Sequence, residues 1–206
     1  MSREKLSSLV LAALGLLCLL TAYYLIGLIY HTGELRQLTL EDGLVVQVLD
    51  TVEGWGEAQY VHRLDEGLPG QVLGRISPRV GPVQIVVRRI DSAVGGQGLE
   101  DLARYVEALE ELRRERRDGG LYYVFWKSDT SNFWRLEVSF AGLPGYRLLQ
   151  WAEPPGFPRL RYLIMDTLVA HRGHFYQVTT YAPQLIYHYY EVDIKYILNS
   201  IELPGS

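Results

Sequence analysis

A continuous apolar run opens the chain and separates it into two parts. Residues 6–30 carry no charged side chain. A run of this length can cross a hydrocarbon core of about 30 Å as a helix. The pattern therefore predicts a short cytoplasmic stub and a transmembrane anchor over residues 1–31, with the lipid bilayer as the partner of residues 6–30.

Two alternatives to a retained anchor remain open. A cleaved signal peptide has an apolar core of about 7–15 residues, whereas the apolar character here continues past Ala22 to Ile29. Retention is therefore favoured over cleavage. Lipidation at Cys18 is disfavoured by the bulky Leu17 directly before it, so Cys18 is expected to pack within the membrane helix.

Charges on either side of the apolar run predict its orientation. Arg3 and Lys5 precede it, whereas Glu34, Glu41 and Asp42 follow it. Positive residues tend to remain cytoplasmic. We therefore expect a single-pass protein of the cell membrane with a cytoplasmic N-terminus. Residues 32–41 would be a juxtamembrane linker, and residues 42–206 a periplasmic or extracellular domain.

The first half of this domain combines strand patterns with one helix. Apolar residues recur with a period of two at 44–49, 59–64 and 83–90, which predicts strands. The next segment is an amphipathic helix ending near Gly119 and Gly120. Its apolar stripe consists of Leu99, Leu102, Val106, Leu109 and Leu112.

The second half is rich in short aromatic and β-branched runs. These runs extend from residue 121 to residue 183 and are separated by "SDTSN", "GLPG", "EPPGFP" and "HRGH", which predicts an antiparallel meander. Residues 184–203 fit either a helix or an alternating strand, and their length favours a closing helix. The fold class is therefore α+β, one antiparallel sheet flanked by helices.

The amino-acid composition limits which kinds of binding site the chain can contain. The net charge of −4 and the lack of a long basic run give no sign of nucleic-acid binding. With a single cysteine, the chain has neither a disulfide framework nor a cysteine-ligated zinc site. The 15 tyrosines and 4 tryptophans favour strands and a contact surface.

The stretch "HRGH" raises the question of a metal site. Helical zinc sites use histidines at i and i+4, but His171 and His174 are three apart, and Arg172 between them would oppose a cation. Gly173 suits the positive φ of a hairpin turn. The pattern thus predicts a turn, and no metal ligand is assigned.

No catalytic or cofactor motif is recognised. The glycines of "AVGGQGLEDL" match neither a dinucleotide fingerprint nor a phosphate loop, and Glu100 and Asp101 at the helix start would repel phosphate. Scattered carboxylates leave catalysis unsupported. We therefore expect a protein that is not an enzyme and that uses no cofactor.

Two sets of residues are candidates for binding. Exposed aromatic residues are typical of interface hot spots, and "GWG" at 54–56 has the composition of a turn. The candidate partner contacts are Trp55, Trp126, Trp134 and Tyr122. Under the alternative of a small-ligand-binding protein or hydrolase, the candidate cleft residues are Arg135, Arg147 and His174.

Three stretches resemble the PsbP/DcrB/Mog-like family of α/β/α sandwiches. They are "GLEDLARYVEALEELRRE", "SFAGLPGYRLLQW" and the segment from "HRGHFYQVTTYAPQ" to "VDIKYILNSIEL". The resemblance covers residues 42–203. It implies an extracytoplasmic accessory or assembly factor without a shared catalytic site. The chain departs from the family in its retained span and in lacking a recognisable metal-ligand set.

These observations lead to one functional hypothesis. The chain would be a membrane-anchored, non-catalytic binding or assembly module, with another membrane protein or complex as its partner. The alternative is an extracytoplasmic ligand binder or hydrolase with a cleft between sheet and helices.

Overall fold

The structure is a computed structural model that describes residues 13–23, 34–50, 54–62, 65, 67–91, 99–115, 124–125, 134–153 and 161–205. A first helix, α1, covers residues 13–23, and all of its side chains are exposed. Among the described residues, no helix is long and apolar enough to cross a membrane. Residues 6–12 and 24–30 of the predicted span lie outside the described residues.

The described part of the domain contains ten strands and two further α-helices, α2 and α3. They follow the order β1 (Glu34–Thr39), the 3₁₀ turn Glu41–Gly43, β2 (Val45–Asp50), β3 (Trp55–Glu57), β4 (Gln71–Pro78), β5 (Gln84–Asp91), α2 (Leu99–Glu115), β6 (Val124–Phe125), β7 (Trp134–Phe140), β8 (Leu143–Glu153), β9 (Tyr162–His171), β10 (His174–Pro183) and α3 (Gln184–Asn199).

All strand pairings are antiparallel within two sheets. β1 and β2 form a small sheet, and the others form a sheet of eight strands in the order β3-β4-β5-β10-β9-β8-β6, with β7 also paired to β8. β9 and β10 lie at the centre and are buried along most of their length. Burial on both faces explains why their sequences lack a clear polar alternation.

The large sheet separates two apolar cores. α3 and β2 cover one face, where Val46, Val178 and Ile194 belong to the same buried cluster. α2 covers part of the other face through Leu102 and Val106. The α+β class predicted from the hydrophobic pattern is thus confirmed, and helices lie on both faces of one antiparallel sheet, as the family resemblance implies.

The "HRGH" stretch is a two-residue hairpin turn. His171 and His174 are the paired residues that close β9 and β10. Arg172 and Gly173 both have positive φ, at 49° and 80°, as a type I′ turn requires. The predicted turn is thus confirmed.

Several predicted boundaries need correction. The predicted linker 32–41 contains β1, whose backbone pairs with β2 along its whole length. Residues 59–62 of the predicted second strand are irregular, whereas β3 lies just before them. "GLPG" does not separate two strands, because the turn is at Ala141 and Gly142 and β8 begins immediately after it.

Candidate functional site: a buried polar cluster

A group of polar side chains is buried on the α2 side of the large sheet. Arg88 of β5 and Asp65 form an ion pair with 2.5 Å between Nη2 and Oδ2, and both side chains are almost inaccessible to solvent. The hydroxyl of Tyr181 on β10 donates a hydrogen bond of 2.9 Å to Oδ1 of the same carboxylate. With His62, these residues form what we call the buried polar cluster: His62, Asp65, Arg88 and Tyr181.

His62 completes the cluster by stacking. Its ring lies parallel to that of Tyr181, with 4.7 Å between centroids. Burial lowers the pKa of His62 to about 4, and the nearby charge of Asp65 only partly offsets that effect. The imidazole is therefore neutral at neutral pH. Its backbone N–H donates to Oε1 of Gln84, and Nε2 of Gln84 donates to the carbonyl of Tyr60.

A second polar group continues along the same face toward α2. Asp166 of β9 is fully buried, and its Oδ1 accepts hydrogen bonds from Nε2 of Gln177 at 2.9 Å and from Oγ1 of Thr179 at 2.7 Å. Tyr105 on α2 donates to Oε1 of Gln177. This group therefore joins α2 to the two central strands through polar contacts beside the apolar core.

The arrangement of the buried polar cluster is suited to stabilising the fold. Buried polar groups are costly unless they are paired, and these groups bond to one another across β5, β9, β10 and α2. Within the described residues, no set of three histidine, cysteine or acidic side chains is placed to hold a metal ion. The carboxylate of Asp65 is paired with the guanidinium of Arg88 and accepts a hydrogen bond from the hydroxyl of Tyr181.

Sequence reasoning missed this cluster, although one signal was present. Arg88 lies within the apolar run of β5, "QIVVRRID", where a charged residue must find a buried partner. Its partner Asp65 lies in a stretch that reads as a loop. The pairing is visible only once the strands are assembled.

The prediction that Trp55 is an exposed partner contact requires correction. Trp55 is completely buried in the core under α3 rather than exposed as a partner contact. Its Nε1 donates to Oδ2 of Asp193 at 3.0 Å, and its ring meets that of Tyr190 edge to face at 5.9 Å. The short strand β3, paired with β4, turns the indole inward. The glycines on either side of Trp55 favour a turn in the sequence, whereas in the structure Gly56 belongs to β3.

The other aromatic candidates are only partly described. Trp134 is the first residue of β7, where its backbone pairs with Leu149. Its side chain is not among those that the structure describes. Tyr122 and Trp126 lie outside the described residues. Their role as partner contacts remains a prediction.

The three cleft residues of the alternative hypothesis are described, and they do not converge. Arg135 lies on the α2 side, with its guanidinium 4.4 Å from the ring centre of Tyr146 and 3.6 Å from Glu107. Arg147 lies on the α3 side and donates to Thr167 at 3.2 Å. His174 lies at the β9–β10 turn, 3.1 Å from Asp91.

The surroundings of Arg147 differ from those of a typical surface arginine. Burial lowers the pKa of its guanidinium, and the neighbouring Tyr187 of α3 acts in the opposite direction. Since Arg135 and Arg147 occupy opposite faces of the sheet, no single cleft could use both.

Comparison with solved structures identifies the architecture. The solution structure of cyanobacterial PsbP (CyanoP) from Synechocystis sp. PCC 6803 superimposes with a TM-score of 0.56 at 12% sequence identity, covering 83% of this chain and 93% of that one. The chain has a PsbP-like fold. The resemblance seen in the sequence is therefore confirmed at the level of the fold.

Other comparisons add little. A protein of unknown function, PA94 from Pseudomonas aeruginosa, aligns with a TM-score of 0.46 at 12% identity, over 84% of this chain and all of that one. Neither a protein-family model nor a curated protein sequence matches the chain. At this level of identity the PsbP-like fold does not by itself assign a function.

Proposed function

We propose that the protein is a membrane-anchored, non-catalytic accessory or assembly module that acts on a membrane-protein complex at the extracytoplasmic face. The observation that carries the proposal is α1. Its large apolar side chains are between 53% and 70% exposed, and water would not favour so much apolar surface. They are Leu14, Leu16, Leu17, Leu19, Leu20 and Tyr23.

The domain itself supports a binding role over a catalytic one. The ionisable groups of the buried polar cluster bond to one another, and the three cleft candidates are dispersed over both faces of the sheet. A catalytic site needs convergent groups that reach a substrate. An accessory role is also what the PsbP-like resemblance implies.

Tethering supplies the mechanism. A membrane anchor confines the domain to a thin layer above the bilayer, which raises its effective concentration against a partner in the same membrane. A modest contact surface is then sufficient for stable association. The anchor would thus contribute to binding without touching the partner.

Co-purification from native membranes tests the proposal. We would solubilise membranes gently, capture tagged full-length protein and identify its partners by mass spectrometry, beside a variant lacking residues 1–31. The full-length protein should retain a stoichiometric partner that the truncated form loses. A chimaera with an unrelated transmembrane helix in place of residues 6–30 should recover it, because tethering requires only confinement.

Two results would contradict the proposal. If the truncated domain recovers the same partner equally well, tethering contributes nothing. If the full-length protein is recovered alone at monomer size, the accessory role is wrong.

A small-ligand-binding protein is the second candidate, and the buried polar cluster favours it. Pockets for small molecules commonly combine apolar walls with a few fixed polar groups. Tyr181 packs in one apolar cluster with Ile164 and Ala152, and His62 is held by stacking on Tyr181 and by its backbone bond to Gln84. A thermal-shift screen of small polar metabolites would test this. Stabilisation that Tyr181→Phe abolishes would favour a ligand.

A further inference from the structure

The described domain has two ends along its strand direction, and they differ in apolar exposure. β10 runs from His174 at one end to Pro183 at the other, and its neighbours follow in antiparallel register. The end that contains Pro183 also contains the β4–β5 connection and the first turn of α3. Five exposed large apolar residues belong to this end: Leu35, Tyr60, Val61, Val80 and Leu185.

The contacts of these residues place them at that end. The hydroxyl of Tyr60 donates to the carbonyl of Val83, directly before β5. Val80 lies in the preceding turn, where its carbonyl accepts a hydrogen bond from Tyr190. Leu185 is the second residue of α3 and follows directly from the end of β10. We call these five residues the anchor-side patch.

The side chains of the anchor-side patch are strongly exposed to solvent. Leu185 is 76% exposed and Val80 is 68% exposed. The remaining exposed large apolar residues of the described domain are dispersed, one each on α2, β7 and α3: Leu99, Leu136 and Val192. Exposed apolar residues are thus concentrated where the chain enters the domain.

The position of β1 relates this end to the N-terminal segment. Glu34 pairs with Asp50, and the guanidinium of Arg36 donates to the carbonyl of Trp55, which itself pairs with Pro78. The first residue of β1 therefore lies at the same end as the patch, and Leu35 belongs to both. The opposite end of β1 lies about 17 Å away along the strand.

Chain length then limits how far this end can move from the bilayer. If the anchor extends to Tyr30, only residues 31–33 separate it from Glu34. Three extended residues span at most about 10 Å. The patch is thus held close to the interface, where apolar and aromatic side chains partition favourably.

We propose that the anchor-side patch rests on the lipid bilayer, so that the domain is held upright with its β9–β10 turn pointing away from the membrane. This inference rests on the proposed anchoring. Both signs of charge surround the patch, including exposed Arg36 and Glu34. Apolar contact is therefore the driving term, and a zwitterionic membrane suffices.

Site-directed labelling of the full-length protein tests the orientation. The background is Cys18→Ser, since Cys18 is the one cysteine of the chain. Val80→Cys and Leu185→Cys report on the patch, and Glu202→Cys is the matched control. Glu202 is exposed and lies at the opposite end, where it bridges to Val45. Each variant is labelled with a fluorophore and reconstituted into phosphatidylcholine vesicles.

Quenching by spin labels on the lipid acyl chains is the measurement. We expect strong lipid quenching and weak iodide quenching at positions 80 and 185, and the reverse at position 202. Equal exposure to iodide at all three positions would overturn the orientation while leaving the anchor intact. Failure to co-float with vesicles would overturn the anchor and the orientation together. Shielding of 80 and 185 from both quenchers would indicate contact with a second copy and would also overturn the lipid assignment.

Discussion

Trp55 and Asp193 meet in the core between β3 and α3, although 138 positions separate them in the chain. The indole Nε1 donates to the carboxylate Oδ2 at 3.0 Å, and both residues are almost completely buried. A hydrogen bond to a buried carboxylate is charge-assisted. The contact fixes the short edge strand against the closing helix.

The first prediction concerns this contact. Trp55→Phe should lower the free energy of unfolding by about 2–4 kcal/mol, since it removes a bond to a charged acceptor and leaves a small cavity. Urea denaturation of the full-length protein in detergent measures the change. Tyr196→Phe is the control, because it removes only a half-buried bond to Gln47 and should cost about 1 kcal/mol or less. Equal effects of the two changes would mean that the indole bond contributes little.

The second prediction concerns the ion pair between Asp65 and Arg88. Asp65→Asn should cost about 3–5 kcal/mol, because it leaves a buried guanidinium without its counter-charge. The double variant Asp65→Leu with Arg88→Met should recover much of that loss, since it removes both charges. Tyr181→Phe removes one hydrogen bond to the same charged carboxylate and should cost about 1.5–3 kcal/mol. Denaturation midpoints would show this order, and a double variant less stable than Asp65→Asn would contradict it.

The third prediction is a pH dependence that arises from His62. Its pKa is lowered from 6.5 to about 4 in the folded protein, chiefly by burial. Between these values the unfolded chain binds more protons than the folded one, so stability rises with pH. His62 should therefore destabilise the fold by up to about 3 kcal/mol as the pH falls from 6.5 to 4.

His62→Phe tests this dependence. The substitution keeps an aromatic ring to stack on Tyr181 but has no titrating group. Unfolding free energies measured between pH 4 and 7 should vary less with pH in the variant than in the parent. Identical pH profiles would show that another group causes the dependence. The same substitution at His188 is a suitable control, because that residue is exposed.

Local patterns in the sequence were sufficient for the helices and the central hairpin. α2 follows from its apolar stripe, and the β9–β10 turn follows from Gly173, because only short-range chemistry is needed for either. The predicted closing helix is confirmed as α3. The α+β class follows from the order of these elements, and the sandwich is what the family resemblance implies.

Long-range pairings account for what the sequence did not reveal. The exposure predicted for Trp55 is wrong, because β3 has only three residues and its partner Asp193 is distant in the chain. The buried polar cluster combines Asp65, Arg88 and Tyr181, each from a different element. Neither the Trp55–Asp193 contact nor the buried polar cluster corresponds to a periodic pattern or a characteristic residue spacing in the sequence.

The last prediction concerns Gly145 in β8, which has no room for a side chain. A Cβ there would collide with the carbonyl oxygen of Leu168 and would lie 2.6 Å from a methyl carbon of Val169 on the neighbouring strand β9. Gly145→Ala would therefore force β8 and β9 apart. We expect a loss of about 2–3 kcal/mol in the free energy of unfolding.

Gly142→Ala is the matched control for this change. Gly142 lies three residues earlier, in the β7–β8 turn, and nothing lies within 4 Å of a Cβ built there, although its φ is +75°. Its cost is limited to backbone strain of about 1 kcal/mol. Thermal denaturation should therefore place Gly145→Ala below Gly142→Ala. The reverse order would mean that β8 and β9 can separate without loss, and that the close approach at Gly145 does not constrain the sheet.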